Sequence, residues 1–147
     1  MLVRDALLAF AHFALIFLLA GLLYSELALY RKRMTRSTLS LLGRIDLAYG
    51  IAAGLVAASG ISRMIWGLKG TAFYTSNPLF WAKMAVFGLI AVLSLPPTFH
   101  YLRIAKHEGD EVTVADGTFR RMRGMLFAEA ILLLTLPLFA AFMARGL

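Results

Sequence analysis

Residues 6–29 read ALLAFAHFALIFLLAGLLYSELAL and are followed, after Tyr30, by Arg31-Lys32-Arg33. A bilayer is crossed by about 20 mostly apolar residues. This run meets that length, broken only by His12, a few hydroxyls and Glu26. It is too long for the apolar core of a secretory signal, and its strongest positive charge lies behind it rather than in front. It is therefore expected to remain in the mature chain. Working outward, apolar segments recur at about 46–67, 79–101 and 124–144, with the first helix at about 6–30. The chain reads as a single domain over 1–147, an all-α integral membrane protein built as a four-helix transmembrane bundle. Pro96-Pro97 is expected to end or kink the third helix, because proline lacks the backbone donor and clashes with the preceding turn.

Composition agrees. The apolar share of 61% and mean hydropathy of +0.78 exceed the soluble range. The chain has no cysteine, which excludes a disulfide framework, a thiolate metal site and a cysteine nucleophile. The formal charge of +7 would suit nucleic acid, but most Lys and Arg flank the apolar runs, where they anchor helices at the membrane surface. Arg31, Lys32, Arg33, Arg36 and Arg44 fall between the first two spans, and Arg103, Lys106, Arg120, Arg121 and Arg123 between the last two. These are ten of the fifteen basic residues. The positive-inside bias then puts both basic loops in the cytoplasm and both termini outside. The loop 103–123, with mixed charges, Gly109 and Gly117, is expected to be polar and mobile. The connection 67–78 lies between Trp66 and Trp81 and carries Phe73 and Tyr74, an interfacial aromatic belt.

Ionisable residues within spans are costly and tend to face a bundle interior or cavity. Asp5, His12, Leu19 and Glu26 recur every seven residues, which places them on one stripe of the first helix, the expected bundle face. Depth then sorts the remaining ionisable residues into two layers. An outer layer holds His12, Arg63 near the outer end of the second helix, and Lys83 five residues after Pro78. Arg63 and Lys83 can snorkel to the headgroups or converge with His12 on an anion. His12 is too short to snorkel, and serves either as a helix-to-helix hydrogen bond or as a metal or haem ligand. An inner layer holds Glu26, Asp46 opening the second helix, and Glu129, with Arg44 and His100 as available partners. It reads either as interfacial pairs plus a helix-start carboxylate, or as a proton path. The small residues Gly50, Gly54, Ala57 and Ala58 form a stripe on which another helix or a flat ligand can lie closely. Met64 and Met84, near the outer layer, read as packing.

The segments Ala11-His12-Phe13, Gly21-Leu22-Leu23-Tyr24, Gly60 to Gly67 and Phe80-Trp81-Ala82-Lys83 resemble the HemJ-type protoporphyrinogen oxidase family. They resemble still more closely small bacterial membrane proteins of the same CopD-like group. The likeness implies a bacterial inner-membrane location, b-type haem on His12 and a functional role for Lys83. Lys83 and Arg63 would then serve as carboxylate partners, and Glu26 and Glu129 as a proton route. The expected partners are the lipid bilayer, a porphyrin or quinone-like molecule and a second copy of the chain, with no nucleic acid. The chain departs from that family in its basic loop 31–44, in Glu129 and Pro137 of the last helix, and in offering no obvious second axial ligand. Two readings of other classes stand beside the oxidoreductase: a CopD-like metal or small-anion binding or transport protein, and a non-catalytic subunit of a larger membrane complex.

Overall fold

The computed structural model describes residues 2–145. Four helices long and apolar enough to cross a membrane dominate it: α1 (Leu2–Leu29), α2 (Arg36–Trp66), α4 (Pro78–Ile104) and α5 (Asp116–Ala144), with a short α3 (Gly70–Thr75) between α2 and α4. α1 packs along α2 and α4 along α5. Lighter contacts between α2 and α4 and between α1 and α5 close the ring. At about 1.5 Å per residue the 31 residues of α2 span about 46 Å, well beyond the hydrocarbon thickness of about 30 Å.

The excess length emerges at one end, where the expected mobile loop is replaced by structure. Strand β1 (Arg33–Thr35) pairs antiparallel with β2 (Glu111–Thr113), with Met34 opposite Val112. Met34, Val112 and Val114 are buried, and these apolar side chains anchor the ribbon to the bundle. Val114 N donates to Lys32 O at 2.9 Å, Arg36 N donates to Asp110 O at 3.0 Å, and Lys32 pairs with Asp116. α2 starts directly after β1, where Thr35 Oγ1 accepts from Thr38 N at 3.2 Å and caps the helix. Its first ten residues are helical despite their charges because Leu39 and Leu42, three apart, turn one face into the core.

Two further expectations are corrected. Pro96 and Pro97 lie inside α4, which continues to Ile104, so of the two outcomes expected of them the helix end is excluded. Within a membrane bundle such prolines are tolerated because neighbours and side chains serve the freed backbone groups. The glycine stripe of α2 receives no helix of this chain: Gly50 and Gly54 are exposed, with open space where a side chain would stand. The interior face of α2 is instead Leu39, Leu42, Asp46, Tyr49, Ala52 and Val56. On α1 the buried residues are His12, Leu19, Leu23 and Glu26, the stripe expected from the seven-residue spacing. At the α3 end, Gly70 takes φ +71°, a left-handed turn that suits glycine, and Trp81 Nε1 donates to Thr75 O at 3.0 Å.

Candidate functional site

Toward the α3 end, α1 and α2 hold His12 between them. Ser59 Oγ donates its one proton to Val56 O at 2.9 Å, so at 2.8 Å from His12 Nδ1 it acts as the acceptor. With Ser59 donating to Val56 O, the imidazole proton is assigned to Nδ1, and the Nε2 lone pair is then without a partner among the described residues. The ring lies against Gly60, where an added Cβ would stand 3.3 Å from His12 Cε1. Only a glycine or a small displacement of the imidazole suits that approach.

Arg63 and Lys83 both lie within electrostatic reach of His12 and of each other, so the structure brings the three outer residues together. Neither cation has a carboxylate partner among the described residues, where the ion pair formed is Lys32–Asp116. The Arg63 guanidinium rests 5.7 Å from the centroid of Phe13, and its Nε is buried without a hydrogen-bond partner. Asp5, the nearest acid in sequence, is engaged elsewhere: its Oδ1 accepts from Leu68 N at 3.1 Å and ties the start of α1 to the end of α2. α4 buries no residue before Ile90, so this layer borders a loosely packed part of the bundle. Met64 is half-buried and Met84 exposed.

Fourteen residues along α1, about 21 Å away at about 1.5 Å per residue, the second layer closes. Glu26 and Glu129 are 1% and 0% exposed, and Asp46 from α2 lies among them. Their partners are hydroxyls rather than the expected cations. Tyr49 donates to Glu129 Oε2 at 3.0 Å, Thr98 to Asp46 Oδ1 at 2.8 Å, and Tyr101 to Glu26 Oε2 at a long 3.4 Å. Oε1 of both Glu26 and Glu129 is buried with no partner. Asp46 does not open a helix, since α2 begins ten residues earlier. Arg44 is exposed, and His100 Nε2 is hydrogen-bonded to the Tyr30 hydroxyl at 3.0 Å, so neither serves the acids. Burial pushes the Tyr30 phenol up to about 12. Arg123 secures this end by donating to Leu27 O and Tyr30 O, each at 3.2 Å, and so satisfies carbonyls at the end of α1 from another helix.

Ser59, Tyr49, Thr98 and Tyr101 were missed at the level of sequence. The available signal was their spacing: Tyr49 stands three residues after Asp46, and Tyr101 three after Thr98, each pair on one helical face within an apolar segment.

A family model described as "Predicted membrane protein (DUF2214)" matches residues 4–147. No curated protein and no solved structure matches the chain.

Proposed function

We propose that the chain, which belongs to the DUF2214 family of predicted membrane proteins, is a haem b (porphyrin)-binding membrane oxidoreductase with His12 Nε2 as iron ligand. The observation that carries this reading is the contact of His12 Nδ1 with Ser59 Oγ, itself bonded to Val56 O, which engages one ring nitrogen and leaves Nε2 beside two cations that have no acid partner among the described residues. A ligating histidine typically has its other ring nitrogen fixed in this way. The orphaned Arg63 Nε, and Lys83 beside it, suit the carboxylates of a haem or porphyrin, and the resemblance of His12 and Lys83 to HemJ-type oxidases points the same way. Haem, when bound, supplies the electron-transfer chemistry. The chain's own residues orient the imidazole, leave room at Gly60 and balance charge. A second copy of the chain and a quinone-like electron acceptor or donor are the proposed partners.

The same unpaired cations favour one rival, a small-anion binding or transport protein. Visible spectra of the purified protein, oxidised and dithionite-reduced, separate the two. A Soret band that is lost or sharply shifted in His12→Ala, and retained with impaired turnover in Lys83→Met, supports the haem reading. Unchanged haem stoichiometry and spectra in His12→Ala refute His12 ligation. A colourless protein that binds anions through Arg63 and Lys83 establishes the rival.

A further inference from the structure

The carboxyl layer is separate from the His12 site and has its own chemical demand. Three acids from α1, α2 and α5 meet hydroxyls from α2 and α4, and each acid receives one hydroxyl on one oxygen. This leaves Oε1 of Glu26 and of Glu129 fully buried without a donor, and no Lys or Arg among the described residues bonds to any of the three acids. A buried acceptor without a donor is costly, and several like charges in a region of low dielectric repel strongly. Something positive belongs there.

We propose that Glu26, Asp46 and Glu129 form a proton-holding site that exchanges with the ribbon end of the bundle, independently of whether the protein binds haem. A proton suits the site because it can be held by a single orphan carboxyl oxygen, and no group of three carboxyls or histidines that could hold a metal ion is found among the described residues. A proton needs no such group. Uptake forms one O–H bond on a carboxylate oxygen and turns an orphan acceptor into a donor; release breaks that bond, and no other reactant is consumed. The groups facing the site are Glu26 of α1, Asp46 and Tyr49 of α2, Thr98 and Tyr101 of α4 and Glu129 of α5. Tyr101 continues the polar chain toward the ribbon end, its ring 5.7 Å from that of Tyr30 and 6.2 Å from that of His100. In the other direction α1 offers only apolar Leu19 and Leu23 on its buried face before His12. Exchange therefore runs to the ribbon side.

The test is infrared difference spectroscopy of the full chain in liposomes between mildly acidic and mildly alkaline buffer, in H2O and D2O. The expected result is a carbonyl-stretch band of protonated carboxyl that shifts down in D2O. It should shift again on 13C-glutamate labelling of the wild type, and lose intensity in Glu26→Gln or Glu129→Gln. The labelling needs no variant and covers the case in which one fails to fold. Absence of the band in wild type, or a band unmoved by glutamate labelling, overturns the proposal. Saturable loss of the band on adding NaCl or KCl at fixed pH overturns it in favour of a cation site. None of these results bears on the Soret band, so failure here and failure of the haem reading are distinguishable.

Discussion

Replacing Tyr49 by Phe removes one oxygen, yet the structure assigns that oxygen a specific partner. Tyr49 and Glu129 are 4% and 0% exposed, and the phenol is the single donor to a carboxyl whose other oxygen has none. An unsatisfied buried polar group costs about 1–3 kcal/mol in soluble proteins. Hydrogen bonds between membrane helices average about 0.6 kcal/mol, with a maximum near 1.7, because the unfolded helix in lipid also finds partners. Water cannot take the place of the phenol here, so the upper part of the membrane range applies. We predict a coupling of about 1–2 kcal/mol, or about five- to thirty-fold in the folding constant. The assay is a double-mutant cycle of wild type, Tyr49→Phe, Glu129→Leu and the double variant, unfolded with SDS in mixed micelles and followed by circular dichroism. Tyr49→Phe should destabilise the wild type and have little effect once Glu129 is Leu. Additivity within about 0.3 kcal/mol would show that phenol and carboxyl do not meet, and would refute the reasoning.

Ser59→Ala should leave the bundle folded but weaken any haem or metal held by His12 about 10–100-fold, since it frees the imidazole to rotate; equal affinity in titrations of variant and wild type would contradict this. Gly67→Ala should destabilise by about 1–3 kcal/mol, because a Cβ there would meet Arg63 O at 2.2 Å and Asp5 Oδ1 at 3.1 Å, and an unshifted unfolding curve would count against that packing. Cysteines introduced at Lys69 and Lys106 should react with an impermeant reagent from opposite sides of the membrane, with Lys106 on the cytoplasmic side. Labelling from one side would contradict the four-span reading, and reversed labelling only its orientation.

The spans were legible because length and apolarity are sums over many residues, which no single substitution disguises. The bundle face of α1 was legible because polar residues recur every seven positions along an otherwise apolar helix. The comparable depth of His12, Arg63 and Lys83 was legible by counting residues from a span's end, but depth alone left open whether they converge or snorkel. The ribbon was not legible: strands of three residues carry almost no periodic signal, and Arg33–Thr35 lies in a run whose charges suggest a loop. The same charges hid the first turns of α2. Nor were the hydroxyl partners of the acids legible, since a bond such as Thr98 to Asp46 depends on how α4 is rotated against α2, and a single chain's spacing does not contain that angle. Pro96 and Pro97 misled in the opposite direction, because a rule learned from water-exposed helices was applied where neighbouring helices relieve it.

The β1–β2 ribbon ties the two helical hairpins together at one end of the bundle, and the chain running through α3 ties α2 to α4 at the other. Glu26 stands seven residues before the ribbon, and His12 lies toward the α3 end. Each polar layer therefore has its own tie: the ribbon stands nearest the acids and the α3 connection nearest the cations.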